Sequence, residues 1–223
     1  MTNNIVWIDL ETGGFNSAKI KLPEPILMPN GKKIESISGS QYYPILEIGI
    51  IITDNNLNII DQYQSEIRQS RLALKNMNEW CIEQHGKTGL MKRSLESDKS
   101  IERVEAECLS FLSKNGFSEK TPMAGSSIHF DHDFISQQME KLSAKFTHQH
   151  IDVTSLHNFY KVKYPDLANK VRELKSNVSH LVIDDIKDSI EIAKIYSLIT
   201  DREELSLEDL LKNKNKNKNN KPM

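Results

Sequence analysis

Two acidic side chains stand at the end of the first apolar stretch of the chain. Residues 5–13 read Ile-Val-Trp-Ile-Asp-Leu-Glu-Thr-Gly, which places Asp9 and Glu11 two positions apart. Side chains at positions i and i+2 of a strand point to the same side, so these carboxylates would converge. A buried carboxylate needs compensation, and a divalent cation such as Mg²⁺ or Mn²⁺ is a suitable partner for two of them. The other interpretation is a solvent-exposed strand end with two ordinary acidic residues.

Three residues further along the chain would complete a site of this kind. Asp131 and Asp185 each stand at the start of a predicted helix, and His180 lies five residues before Asp185. Each also has an ordinary explanation, because acidic residues are favoured at helix N-termini by capping and by the helix dipole, and a histidine before a helix is commonly polar surface. The ordinary explanation fits any one of these residues, but it accounts less easily for all five together.

The composition excludes several other classes of protein. No apolar run approaches membrane-spanning length, and residues 1–4 lead straight into a predicted strand, so we expect no membrane partner, no signal peptide and a cytoplasmic location. Cys81 and Cys108 lack metal-ligand spacing and are expected to be reduced thiols. The net charge is −2, but five lysines after residue 211 leave −7 on residues 1–211. This acidic body argues against sequence-independent binding of polyanions.

Hydrophobic patterning predicts strands and helices that alternate in the second half of the chain. Two adjacent strands joined by an Asp/Asn turn indicate an antiparallel hairpin, and the later strands, each followed by helices, indicate parallel pairing, so a mixed sheet covered by helices is expected. Strands are predicted at residues 4–10, 45–53, 57–67, just before 126 and at 151–153; helices at 77–95 and from Ser100, Asp131, Thr154 and Asp184; and a polar connector at 165–179.

Two segments stand apart from this pattern. Residues 16–44 contain four of the seven prolines, and Asn30-Gly31 is a turn signal that would place a small hairpin within an insertion. The Asn/Lys alternation from residue 212 cannot bury apolar surface and is predicted to be disordered. We therefore expect one domain over residues 1–200, interrupted by the 16–44 insertion, and a C-terminal extension over 201–223.

Taken together, the motifs resemble those of the DEDDh (DnaQ-like) class of 3′-to-5′ exonucleases, and within it the oligoribonuclease family. The first motif is residues 9–13, Asp-Leu-Glu-Thr-Gly, and the last is residues 180–185, His-Leu-Val-Ile-Asp-Asp, with Asp131 between them. Similar stretches occur at residues 53–60, at Trp80 to Leu90, at 125–128 and at 152–156. The resemblance extends over roughly residues 4–200 apart from the insertion.

The resemblance implies a fold, a reaction and a set of metal ligands. The fold would be α/β and RNase H-like, a mixed five-stranded sheet with helices on both faces, and the protein would be a homodimer. Two Mg²⁺ or Mn²⁺ ions would be held by Asp9, Glu11, Asp131 and Asp185 and would bind the attacking and leaving oxygens of a phosphodiester. His180 would take the proton from the attacking water, and the product would be a 5′-nucleotide.

The resemblance also implies substrate-binding residues, namely Thr12, Gly13, Phe15, Trp80, His85, Ser127 and Thr154. Phe15 would stack on a base or wedge between two bases, whereas Trp80 has helix packing as an alternative role. Ser127 and Thr154 match positions that, in the family this chain resembles, contact the 5′ phosphate of a dinucleotide. The family has an arginine five residues before Thr154, where this chain has Gln149, and a neutral amide supplies no charge-assisted bond to phosphate. The difference argues against strict dinucleotide preference.

Three hypotheses follow from these residues. The favoured one is a metal-dependent 3′-to-5′ exoribonuclease that acts on short single-stranded oligoribonucleotides. The second is a related exonuclease that acts on single-stranded DNA or longer RNA, which the absence of an arginine at residue 149 motivates. The third is a catalytically silent nucleic-acid-binding protein with the same fold, although no residue essential to catalysis is missing.

Overall fold

One mixed sheet organises the fold. The computed structural model describes residues 4–173 and 181–202, so that His180 and the Lys/Asn tail lie outside the described residues. The strands are β1 (Ile5–Thr12), β2 (Lys19–Leu27), β3 (Lys33–Ser38), β4 (Ile45–Thr53), β5 (Ile59–Glu66), β6 (Thr121–Gly125) and β7 (Phe146–Asp152). The main sheet has the order β5-β4-β1-β6-β7, antiparallel from β5 to β1 and parallel from β1 to β7. The predicted mixed five-stranded sheet is confirmed.

Helices pack on both faces of this sheet. Helix bounds within the described residues are α1 (Gly39–Tyr42), α2 (Arg71–Lys75), α3 (Glu79–Lys87), α4 (Leu90–Glu96), α5 (Ile101–Lys114), α6 (His129–Gln138), α7 (Glu140–Ser143), α8 (Val153–Lys163), α9 (Pro165–Glu173) and α10 (Val182–Arg202). Apolar residues of α5, α6 and α7 form one core with the sheet, and residues of α8, α9 and α10 form a second core on the opposite face. β4 is buried along its whole length because it lies between two strands and two helical layers.

The alternation of β1 decides where its carboxylates lie. Val6, Ile8 and Leu10 belong to the core that contains α5 and α6, whereas Trp7 belongs to the core that contains α10. Asp9 and Glu11 have the same parity as Trp7 and therefore point to the α10 face. The sequence pattern alone thus assigns the two acidic residues to one side of the sheet.

Residues 16–44 contain an antiparallel hairpin, β2 and β3, as the turn signal predicted. Ile26 pairs with Ile34 across the Asn30-Gly31 turn, where Gly31 has a φ of 81°. Asn16, at the base of the hairpin, donates from Nδ2 to Asp133 Oδ2 over 2.7 Å. The hairpin is therefore attached beside the start of α6, close to Asp131 in the chain.

Three local predictions were wrong. Residues 165–173 form α9 rather than a connector; Pro165 occupies the first helical position, which proline tolerates, and Ala168 is buried. The helix predicted over residues 77–95 is split between α3 and α4 at Gly89, whose φ is 74°. Helix α8, for which Thr154 was the expected N-cap, begins at Val153 and is capped by Asp152, because the Asp152 carboxylate accepts from the Thr154 backbone N–H.

The close approach of α10 to β4 depends on Gly49. A Cβ atom at Gly49 would lie 2.9 Å from Val182 Cβ, so we expect Gly49→Ala to destabilise the fold by about 1–3 kcal/mol and to displace the start of α10. Gly86, in α3, has open space around its Cβ direction, and Gly86→Ala should be neutral or stabilising by up to about 1 kcal/mol. Urea unfolding of the two variants measures both effects; equal stability would contradict this account of the packing.

Among the described residues, no helix combines the length and the apolar character needed to cross a membrane.

Candidate active site

Three carboxylates converge at one end of the sheet. Asp9 and Glu11 project from β1, and Asp185 lies in the first turn of α10. One oxygen of each lies within 4.8 Å of the others, an arrangement that can hold a metal ion. Hydrogen bonding at the start of α10, where the Asp185 N–H donates to Leu181 O over 3.0 Å, fixes the first turn that carries Asp185. Residues distant in the chain therefore form one anionic cluster.

Asp131 joins the cluster from the first turn of α6. It is 4% exposed, and its Oδ1 accepts a hydrogen bond from the Leu10 backbone N–H over 3.0 Å. Leu10 lies beyond the point where β6 ends, at Gly125. The Asp131 carboxylate therefore accepts the backbone hydrogen bond that a neighbouring strand would otherwise accept. Asp131 lies outside the set of three oxygens that approach within 4.8 Å, but it is close enough to raise the pKa of Asp9 and Glu11.

The cluster is electrostatically unfavourable without a cation. Burial is the largest cause that raises the pKa of Asp9, followed by the charges of Asp131, Glu11 and Asp185. Burial, then the charge of Asp185, raises the pKa of Glu11 to about 8. Burial also raises the pKa of Asp131 to about 8, against the opposing effect of the Leu10 hydrogen bond. Nearby positive charge would reverse these shifts, which is the behaviour expected of a divalent-cation site.

Glu47 is a buried acidic residue near this cluster that the sequence interpretation did not assign. It pairs with Glu11 across β1 and β4 and has no exposed surface. Its Oε1 accepts from Gln64 Nε2 over 2.7 Å and lies 3.8 Å from Arg93 Nη2. Burial raises the pKa of Glu47 despite both contacts. The signal was present in the sequence, since Glu47 is the one charged residue in β4, which otherwise consists of Ile, Leu, Gly and a terminal Thr.

His85 supports the β1 end from α3. Its side chain is buried, with Nε2 2.8 Å from Thr12 O and Nδ1 3.8 Å from Glu11 Oε2. The Thr12 hydroxyl donates to Gly14 O over 2.9 Å. A Cβ atom at Gly13 would lie 2.7 Å from the Met77 side chain, so the backbone here passes close to the α2–α3 connection. These contacts hold the chain in place immediately after Glu11.

Phe15 and Trp80 lie at the exposed edge of this region. Each side chain is 48% exposed, and the two rings are 6.1 Å apart between centroids with 32° between their planes. Trp80 is therefore not buried by packing within its helix. Two adjacent, half-exposed aromatic rings can stack on nucleic-acid bases.

Ser127 and Thr154 are brought together at the ends of β6 and β7. The Ser127 hydroxyl donates to Thr154 Oγ1 over 3.1 Å, and Asp152 Oδ1 accepts from the backbone N–H groups of both residues, over 3.0 Å from Ser127 and 2.9 Å from Thr154. Ser127 has a φ of 53°, which this network maintains. A cavity of about 270 Å³ opens beside the pair and includes Thr154 and Lys161 in its lining.

A family model described as exonuclease (RNase_T) matches residues 6–193. The chain belongs to this exonuclease family. Within the family it is similar to the oligoribonuclease of Colwellia psychrerythraea, with 36% identity over 195 residues, 87% of this chain and 93% of that relative. The probable oligoribonuclease of Dictyostelium discoideum is 31% identical over 196 residues, 87% of this chain and 89% of that relative.

Solved structures of exonucleases show the same fold. The zinc-bound complex of Escherichia coli exonuclease I with single-stranded DNA superposes with a TM-score of 0.62 at 13% identity and covers 91% of this chain. The chain spans 42% of the length of that exonuclease. The predicted resemblance to oligoribonucleases and the predicted RNase H-like fold are both confirmed.

Proposed function

We propose that this protein is a metal-dependent 3′-to-5′ exoribonuclease that hydrolyses short oligoribonucleotides to 5′-mononucleotides. The observation that carries the proposal is the convergence of Asp9, Glu11 and Asp185, with Asp131 buried beside them. The similarity to oligoribonucleases over most of the chain supports short RNA as the substrate. The raised pKa values of the carboxyl groups support a cation site rather than a surface cluster of acids.

The four carboxylates would hold two divalent cations, Mg²⁺ or Mn²⁺, because oxygen ligands favour these hard ions. Such a pair supplies charge stabilisation to the attacking and leaving oxygens of a phosphodiester. His180, which lies outside the described residues, precedes the first residue of α10 by two positions. We assign it the role of general base that takes the proton from the attacking water, since an imidazole titrates near neutral pH.

Other residues would orient the substrate. Phe15 and Trp80 would stack on bases at the 3′ end, and the hydroxyl groups of Ser127 and Thr154 would contact a phosphate farther along the strand. The backbone at Thr12 and Gly13 lies directly after the Glu11 carboxylate and would approach the terminal nucleotide. His85 is buried against Glu11 and Thr12, which supports a role in positioning Glu11.

A direct experiment is digestion of a five-nucleotide RNA in the presence of Mn²⁺, with the products identified by mass spectrometry. We expect 5′-mononucleotides and stepwise shortening from the 3′ end. His180→Ala should greatly reduce the rate. Unchanged turnover by Asp9→Ala would contradict the proposal, and tight RNA binding without turnover would favour the catalytically silent protein instead.

A second candidate function, hydrolysis of longer RNA or single-stranded DNA, is favoured by Gln149. It is exposed on β7, three residues before Asp152, and carries no charge for a 5′ phosphate. Rates measured side by side on di-, penta- and longer oligomers of RNA and DNA separate the two functions. A steep preference for RNA dinucleotides would reject the second one.

Gln149→Arg should shift this preference toward dinucleotides. A charge-assisted bond to phosphate contributes about 1.5–3 kcal/mol, so kcat/KM for a 5′-phosphorylated dinucleotide should rise by roughly tenfold or more relative to a pentanucleotide. Gln137→Arg, at an exposed position of α6, adds the same charge elsewhere and should leave the ratio unchanged. If the dinucleotide-to-pentanucleotide ratio of kcat/KM were the same in Gln149→Arg and Gln137→Arg, residue 149 would not face the substrate.

We also propose that the protein is a homodimer. Helix α8 exposes Phe159 and Val162, with 61% and 87% of their surfaces accessible, and Tyr164 follows them. Exposed apolar clusters of this kind are typical of contact surfaces between proteins. Light scattering of the wild type and of a Phe159→Lys, Val162→Lys double variant tests the proposal. The cytoplasmic location stays a prediction.

A further inference from the structure

Four of the seven histidines lie together between α6 and β7, outside the acidic cluster. His129 and His132 are three residues apart on α6, so they lie on one face of that helix. His148 and His150 lie two and four residues after the buried Phe146 on β7, so they share its face of the strand, and Phe146 packs in the core that contains α6. The parity of the strand and the face of the helix therefore bring the four side chains toward one another.

Two of these rings are in contact. The imidazoles of His132 and His150 have centroids 4.8 Å apart, with 53° between their planes. His150 Nδ1 is buried and has no hydrogen-bond partner among the described residues. His129 Nδ1 lies 3.8 Å from Asp152 Oδ2 at the end of β7. A buried polar atom without a partner costs about 1–3 kcal/mol, so a bound ligand at this nitrogen would remove a penalty.

The surroundings of His150 disfavour its charged form. Burial lowers the pKa of His150, and the neighbouring His132 lowers it further, while Asp152 opposes the shift. These effects favour the neutral imidazole, which is the form that binds metals. Asp152 Oδ1 accepts from the backbone N–H groups of Ser127 and Thr154, and Asp152 Oδ2 accepts from the Ser155 hydroxyl, so both oxygens of this carboxylate are engaged by neighbouring residues.

We propose that His132 and His150 form the centre of a second metal site, specific for ions of the zinc class. Imidazole nitrogens favour Zn²⁺, Co²⁺ and Ni²⁺, whereas the carboxylate cluster favours Mg²⁺ and Mn²⁺. His129 and His148 are exposed, and one of them would have to rotate toward the pair to supply a third nitrogen. The ion would link α6 to β7, and water would complete a tetrahedral site.

Calorimetric titration with Zn²⁺ tests the site in a protein whose acidic cluster is disabled by Asp9→Asn and Glu11→Gln. We expect one Zn²⁺ per chain, no displacement by excess Mg²⁺, and affinity at least roughly 100-fold weaker when His132→Gln or His150→Gln is added. His157→Gln is the matched control, because His157 bonds to the Tyr196 hydroxyl through Nδ1 over 2.7 Å in another part of the fold. This control should bind Zn²⁺ like its parent.

A second measurement, made on this Asp9→Asn, Glu11→Gln parent, needs no substitution of a histidine. Substoichiometric Ni²⁺ added to the parent should broaden the NMR signals of His132 and His150 before those of His85 and His157. The parent should also gain thermal stability with Zn²⁺, and His150→Gln should not. Zn²⁺ affinity that is unchanged by both His132→Gln and His150→Gln, or broadening that spares these two rings, would overturn the proposal.

Discussion

Asp185→Asn is expected to lower the rate of RNA hydrolysis by about 10³-fold at saturating Mg²⁺. Loss of a ligand from a catalytic metal site removes several kcal/mol of charge stabilisation, and each 1.36 kcal/mol is a factor of ten. The substitution replaces one carboxylate oxygen with an amide, so the size of the side chain hardly changes. Single-turnover rates on a fluorescent pentanucleotide, measured over a range of Mg²⁺ concentrations, give both the rate and the metal dependence.

The neighbouring residue provides a matched control. Asp184 lies in the same turn of α10, but it is exposed and its carboxylate lies 4.0 Å from Lys187 Nζ. Asp184→Asn makes the same change of charge one residue away and should keep the rate within a factor of about two, as exposed ion pairs contribute little. Equal losses in the two variants would mean that the acidic character of the helix start, rather than the Asp185 oxygen, is what the reaction needs.

The stability of the metal-free protein should fall as the pH rises from about 4 to about 8. The pKa values of Glu11 and Asp131 are raised to about 8 in the folded protein, and that of Asp9 is raised as well. The folded state therefore binds more protons than the unfolded state in this window, and stability is greatest below the unfolded pKa values of about 4. Each such group contributes a slope of up to about 1.4 kcal/mol per pH unit.

Urea unfolding in EDTA across this pH range measures the slope. Saturating Mn²⁺ should remove most of it, because the cation replaces the protons in the folded state. Asp9→Asn should be more stable than the wild type at pH 8 without metal, since it removes one buried charge, even though it abolishes catalysis. A wild-type stability that is level or rises between pH 5 and pH 8 in EDTA would contradict the assignment of the cluster.

The parts of the site that follow chain periodicity could be predicted. Asp9 and Glu11 share a face because a strand has a period of two, and Asp185 stands at a helix start because the apolar spacing from Ile186 begins there. The hairpin at residues 26–34 followed from its Asn-Gly turn. In each case the physical cause acts over a few residues, so a local pattern contains the information.

The parts that depend on long-range contacts could not be predicted in the same way. The bond from Leu10 N–H to Asp131 arises only because β6 is shorter than β1, and strand length is set by the tertiary packing. Helix α9 has few apolar residues and exists because Ala168 and Val171 are buried in the fold. The network around Asp152 joins two strand ends whose proximity no local pattern records.

The separation of the cluster along the chain has a consequence for protein synthesis. β1, with Asp9 and Glu11, is synthesised before α10, which carries Asp185. A nascent polypeptide that contains β1 but not yet α10 holds an incomplete cluster, so we expect it to be inactive on RNA. We therefore expect nuclease activity to appear during synthesis only after α10 has packed on the sheet.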